Sequence, residues 1–118
     1  MQRERFERLV EEAVRSLPRS FLKHMENISV MVDDWHPESP NILGIYHGVP
    51  YQHRGPYYGN VAPDVITIYQ RPIERICSTE QDIRNKVREV VVHEVGHYFG
   101  FSEPQLREIE KLNPDEDD

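Results

Sequence analysis

Two histidines four residues apart, His93 and His97, are the residues of this sequence best suited to chemistry. On a helix, side chains at this spacing project from one face a turn apart, so both imidazoles can bind one metal ion. Neutral imidazole is a good zinc ligand, at a Zn–N distance of about 2.0–2.1 Å. Glu94 follows the first histidine, which places a carboxylate beside the metal as a general base for a bound water. The HExxH pattern therefore predicts a zinc site with hydrolytic chemistry.

Residues that follow the histidines offer a third ligand. Gly100 comes three residues after His97, where glycine can take a positive φ and end the helix in a tight reversal. Glu103 comes three residues later, within about 10 Å of extended chain, so the chain can return its carboxylate to the same metal. The spacing is that of the metzincin signature, with a carboxylate in place of the third histidine.

Two alternatives for this third ligand stay open. Ser102 and Gln105 match a capping box, in which Glu103 lies in the first turn and interacts with the dipole of the helix that follows, a role that is compatible with metal binding. Any one of four isolated histidines can also replace Glu103 as the ligand, although each is more typical of a surface or capping residue: His24, His36, His47 and His53.

The residues around the motif favour a buried helix over a chance pair of surface histidines. Val95 and Gly96, between the histidines, are uncharged, and the preceding run 90–92 is all valine. A solvent-facing pair would more often carry charged residues at these positions. The motif thus has the surroundings of a site that is partly shielded from water.

Length, net charge and cysteine content limit the number of domains and the classes of partner. The 118 residues and 14.0 kDa fit one domain with a single core, which we place at 1–113, followed by an acidic, disordered tail at 114–118. The net charge of −7 argues against a nucleic-acid or anionic-membrane partner. The sequence has no apolar run of about 18 residues, the length that predicts a membrane helix. The charged N-terminus does not resemble a signal peptide. The lone Cys77 fits a reducing cytoplasm.

Periodicity predicts an α+β domain. Residues 3–17 carry an apolar stripe at helical spacing that ends before Pro18: Phe6, Leu9, Val10, Ala13, Val14 and Leu17. Three short β-branched runs between Pro, Gly, Asn or Asp residues predict strands: 28–32, 42–46 and 65–69. Ser78 or Thr79 begins a long helix that continues to about residue 98, and a last helix spans about 103–112.

Two further features are the connection between the second and third predicted strands and the single tryptophan. The segment 47–60, rich in Gly, Pro and Tyr, is a long connection, and such loops are either functional or irregular crossovers. Trp35, which follows Asp33 and Asp34, is more typical of a residue that anchors the core than of one that binds substrate.

The chain resembles a family of small bacterial proteins with a minimal zincin-like fold, catalogued as candidate zinc metallopeptidases. The resemblance rests on three blocks in the same order: GIYHGVPYQHRGPYYG at 44–59, PDVITIYQRPIE at 63–74 and HEVGHYFGFSE at 93–103. It implies a helix, three strands and two helices, in which a small three- to four-stranded sheet packs against the N-terminal and HExxH helices and a short C-terminal helix follows.

The resemblance also assigns roles to residues. It implies zinc as the cofactor, His93 and His97 as ligands, Glu94 as the catalytic carboxylate and Glu103 at the family's acidic position after the glycine. Gly96 departs from the pattern, since alanine is expected there. Glycine costs a helix interior about 1 kcal/mol relative to alanine but leaves the ligands in place.

Together these observations predict a zinc metallopeptidase, a monomer acting on a peptide or protein substrate. The peptide is expected to pair with one edge strand, either 42–46 or 65–69, by analogy with zincins. Seven side chains are candidates to stabilise an oxyanion: Tyr46, Tyr51, Tyr57, Tyr58, Tyr69, Tyr98 and Arg54. Because few residues follow His97, the site would be open, which leaves a catalytically silent protein-binding module as the main alternative. A metal-dependent ribonuclease is a second alternative, disfavoured by the acidic surface.

Overall fold

The computed structural model describes residues 1–25, 27–48 and 64–110, except for the side chains of residues 103, 109 and 110. Eight elements follow one another in these ranges: α1 (Arg3–Arg15), α2 (Arg19–Leu22), β1 (Ile28–Asp33), β2 (Gly44–His47), β3 (Asp64–Tyr69), α3 (Gln70–Arg75), α4 (Glu80–Phe99) and α5 (Glu103–Glu110). The predicted α+β class and the order of its main elements are confirmed. The acidic tail and most of the 47–60 connection lie outside the described residues.

The three strands form one mixed sheet in the order β1-β3-β2. β1 and β3 are parallel, with Ile28 opposite Asp64, and β2 is antiparallel to β3, with Gly44 opposite Ile68. β3 is therefore the central strand, and its Ile66 and Ile68 are fully buried. Among the described residues β2 is an edge strand of this sheet, and it matters for the site because it runs beside α4.

Helix α1 covers the core with the predicted stripe. Phe6, Leu9, Val10 and Ala13 recur every three or four residues and are all buried. α1 packs on α4, and the chain leaves it at Leu17, which is also buried. The opposite face of α1 is charged, as expected for a surface helix.

Helix α4 is the structural centre of the domain. It begins with a capping box, in which the Asp82 N–H donates to Thr79 Oγ1 at 3.0 Å and the Thr79 N–H donates to Asp82 Oδ2 at 3.2 Å. Its neighbours include α1, α3, α5 and strands β2 and β3, so it is buried on more than one side. Its buried valines lead directly into the HExxH motif: Val87, Val90, Val91, Val92 and Val95.

Two short helices and one aromatic residue were not predicted correctly. α2 and α3 are too short for periodicity to detect, and α3 continues directly from β3. The expectation that Trp35 anchors the core is wrong, because it lies beyond the end of β1 and is 42% exposed. The Arg75 guanidinium covers its ring at 5.5 Å from the centroid.

None of the helices in the described ranges has both the length and the apolar composition that a membrane crossing requires.

Candidate metal centre

The histidines of the motif and the glutamate between them meet on one turn of α4. One nitrogen each of His93 and His97 and one oxygen of Glu94 lie within 4.8 Å of one another. The two imidazole rings are 4.6 Å apart at their centroids and inclined by 71°. This proximity follows from the i, i+4 spacing on a continuous helix, as the sequence predicts.

This donor set fits a zinc ion. Two ligands on one zinc lie at most about 4.2 Å apart, twice the Zn–N bond length. The nitrogens of His93 and His97 lie within 4.8 Å of one another, which is close to this limit. His97 has room to rotate because its side chain is 43% exposed. Among the described residues, this is also the one group of three His, Cys, Asp or Glu side chains compact enough to hold a metal.

Glu94 is the most buried member of the group, at 6% exposure. Burial raises the pKa of its carboxyl, and the neighbouring His97 and His93 imidazoles oppose that shift without reversing it. Its Oε1 lies 3.2 Å from His97 Nδ1. That contact engages one ring nitrogen of His97 and leaves Nε2 as the nitrogen for a metal.

The chain reverses directly after the motif, as predicted for Gly100. Gly100 has a φ of 80°, in the left-handed region that favours glycine, and its N–H donates to the His97 carbonyl at 3.0 Å. The Phe101 N–H donates to the Gly96 carbonyl at 2.9 Å. These two bonds are those of a Schellman motif, which satisfies the last carbonyls of α4 and turns the chain back towards it.

Helix α5 then begins at Glu103 with the capping box that was the structural alternative for this segment. The Ser102 N–H donates to Gln105 Oε1 at 2.8 Å, and the Gln105 N–H to Ser102 Oγ at 3.4 Å. Leu106, 1% exposed, fixes α5 in the core. The Glu103 side chain lies outside the described part of the structure, so its role as a ligand stays a prediction.

A cleft adjoins the cluster. It has a volume of about 340 Å³ and lies between the N-terminal end of β2 and α4, with these lining residues: Ile42, Leu43, Gly44, Lys86, Glu89, Val90, His93 and Glu94. A larger cavity of about 640 Å³ between α1 and β1 contains neither histidine nor any residue of the motif. Contact with His93 and Glu94, rather than size, therefore singles out the smaller cleft as the candidate site.

The sheet topology decides between the two candidate substrate strands. β3 has hydrogen-bonded neighbours on both sides, so the 65–69 segment has no free edge. β2 is at the edge and contributes Gly44 to the cleft. Of the two, the predicted strand at 42–46, observed as Gly44–His47, is the one with an edge that no described strand covers. The cleft residues Lys86, Glu89 and Val90 were not singled out from the sequence, although they precede His93 at helical spacings of seven, four and three.

The other histidines lie elsewhere or outside the described residues. His36 accepts the Glu38 N–H at 3.0 Å and contacts Tyr69 edge-on, and the His24 carbonyl accepts the Tyr98 hydroxyl at 2.9 Å. Neither these two nor His47 belongs to a compact group of ligands in the part of the chain that is described. His53 lies outside it.

The described tyrosines offer few free oxyanion donors. The Tyr98 hydroxyl is engaged by the His24 carbonyl. The Tyr46 hydroxyl is buried, and Tyr69 is 5% exposed. The remaining candidates for stabilising an oxyanion lie outside the described residues: Tyr51, Arg54, Tyr57 and Tyr58.

Comparison with known proteins agrees with this geometry. The sequence model described as Zincin-like metallopeptidase matches residues 25–112. A solved structure titled as a conserved hypothetical protein from Thermo thermophilus is similar, with 23% identity over 82% of this chain and 92% of that one. Its TM-score of 0.57 shows a shared fold. No curated protein matches the chain.

Proposed function

The chain belongs to the zincin-like metallopeptidase family, and from this membership we propose that it is a zinc-dependent hydrolase of peptide bonds. The observation that carries the proposal is the meeting of His93, Glu94 and His97 within 4.8 Å at one end of a cleft. Two imidazoles and a buried carboxylate are the groups that metal-assisted amide hydrolysis requires.

In this proposal His93 and His97 hold the ion, and Glu103 completes the ligand set from the start of α5. A bound zinc ion supplies Lewis-acid chemistry, acidifying a water and polarising a carbonyl. Glu94 accepts the proton of that water and delivers it to the leaving amine. Its burial suits this role, because a raised pKa brings a carboxylate closer to the pH at which it both accepts and donates a proton.

The substrate in this proposal is an extended peptide that pairs with β2. β2 is an edge strand, and an added strand gains main-chain hydrogen bonds along such an edge. Gly44 brings this strand next to Glu94. A peptide paired with β2 would therefore run beside the carboxylate that acts on it.

We further propose that the protein is a monomer in a reducing cytoplasm, a compartment that the lone Cys77 fits.

The main alternative is a zincin-shaped module that binds a protein partner without turnover. The burial of Glu94 supports hydrolysis over this alternative. An ionisable carboxylate at 6% exposure costs folding free energy, and a purely structural zinc site is usually closed by four protein ligands and needs no adjacent base.

The experiment that tests the proposal combines elemental analysis with hydrolysis of pooled fluorogenic peptides. We expect one zinc per chain and cleavage that Glu94→Gln abolishes while the zinc is retained. Glu80→Gln is the matched control, because Glu80 lies on the same helix, has its side chain 47% exposed and does not line the cleft. Equal cleavage by the wild type and Glu94→Gln, or a wild type that binds zinc but cleaves no pool, would reject this function.

A further inference from the structure

We propose that Ile42, Leu43 and Val90 form a pocket that selects an apolar side chain next to the scissile bond. The inference rests on the proposed hydrolase function and adds a substrate class to it. The pocket is the part of the 340 Å³ cleft that directly adjoins the reactive groups.

The position of the pocket follows from helical spacing. Lys86, Val90 and His93 lie on one face of α4, at i, i+4 and i+7, and all three line the cleft. Seven residues of helix are about 10.5 Å long, which is about three residues of an extended peptide. Val90 lies one turn before His93 and is 7% exposed, so the small exposed part of its side chain borders the cleft next to the proposed metal ligand.

The walls of the pocket are apolar and close together. Ile42 and Leu43 lie on one side and Val90 on the other. A Cβ placed on Gly44 would lie 2.7 Å from Val90 Cγ1 and 3.3 Å from Glu94 Cγ, so the absent side chain lets β2 approach α4. The cleft therefore has an apolar wall of Ile42, Leu43 and Val90, and its lining also includes Glu94.

Two oppositely charged residues of α4, Lys86 and Glu89, also line the cleft. Lys86 Nζ and Glu89 Oε2 form an ion pair at 2.9 Å, so their charges compensate one another. At about 340 Å³ the cleft is at the small end of ligand pockets, which range over about 300–1,000 Å³. It suits one side chain with its flanking peptide groups, and apolar contact is the interaction that its walls offer.

The first test measures binding without turnover. Metal-free protein with ¹³C-labelled methyl groups is titrated with N-acetyl-leucine amide and, separately, with N-acetyl-aspartate amide. We expect the leucine probe to shift the methyl resonances of Ile42 and Val90. Val92 is the internal control, because it lies on the same helix, is 2% exposed and does not line the cleft. No shift with either probe, or equal shifts with both, would overturn the proposal.

The second test measures selectivity. Peptides varied at the two positions flanking the cleaved bond should show about a tenfold higher kcat/KM for Leu or Phe than for Asp at one of them. Ile42→Ala should reduce this preference several-fold, whereas Ile76→Ala, at an exposed isoleucine that does not line the cleft, should retain it. Cleavage indifferent to side-chain polarity would refute the pocket. If no peptide is cleaved but the leucine probe still shifts Ile42 and Val90, the hydrolase function fails and the apolar pocket stands.

Discussion

Gly96 and Leu106 pack so closely that a side-chain carbon on the glycine does not fit between them. A Cβ placed on Gly96 would lie 2.9 Å from Leu106 Cγ and would overlap Cδ2, and Leu106 is 1% exposed. The glycine therefore lets α5 dock against α4 one residue from His97. The sequence pattern showed only the helix-propensity cost of Gly96, whereas the structure shows what the missing methyl group allows.

We expect Gly96→Ala to destabilise the protein despite the better helix propensity of alanine. The propensity gain is about 1 kcal/mol, and overpacking a filled core site costs about 1–3 kcal/mol. Urea denaturation should show a net loss of up to about 2 kcal/mol. Leu106→Ala opens space for the new methyl group, so the double mutant should be more stable than the two separate losses predict. A Gly96→Ala protein more stable than the wild type would contradict this account of the contact.

The docking of α5 against α4 also concerns Glu103, because Glu103 is the first residue of α5. If its carboxylate is the third ligand, Glu103→Gln should weaken zinc binding at least as much as loss of an outer-shell partner does, about 10–100-fold. A competition titration with a chromophoric chelator measures the change. Glu108→Gln, on an exposed part of the same helix, is the matched control. Unchanged affinity would leave Glu103 with the dipole role that its place in the capping box provides.

The burial of Glu94 predicts how the stability of the metal-free protein depends on pH. Burial raises the pKa of its carboxyl in the folded state above the unfolded value of about 4.3. The stabilising contribution of the protonated form is thus fully present below the unfolded pKa and is lost as the pH rises through the folded pKa. Glutamine cannot ionise, so Glu94→Gln should gain stability relative to the wild type as the pH rises.

Urea denaturation with a chelator present, at about pH 4 and about pH 8, on either side of the pKa shift, checks this expectation. The difference in the free energy of unfolding between Glu94→Gln and the wild type should move in favour of the mutant at the higher pH. His93 and His97 are present in both proteins, which removes the direct effect of their titration from the comparison. Parallel pH profiles would show that the Glu94 carboxyl titrates alike in the folded and unfolded protein.

Local spacing determined the parts of this site that the sequence could predict. His93, Glu94 and His97 lie within one turn of a single helix, and Gly100 and the Ser102–Gln105 capping box act over a few residues, so their geometry followed from the residue pattern. The cleft could not be predicted in this way. It depends on β2 lying against α4 at Gly44, a contact between segments distant in the chain that local periodicity does not encode. The edge position of β2 likewise required the strand order.

Zinc should stabilise the folded protein through the two histidines. A ligand that binds only the folded state at about 100 times its Kd adds about 2.7 kcal/mol, which for a domain of this size raises Tm by several degrees. Thermal denaturation with zinc and with a chelator should show this difference in the wild type. His93→Ala should abolish it, because one imidazole is lost from the set. His36→Ala should retain it, since His36 contacts Tyr69 and the Glu38 N–H, away from the cluster. A Tm indifferent to zinc in the wild type would mean that these side chains do not hold the ion in the folded protein.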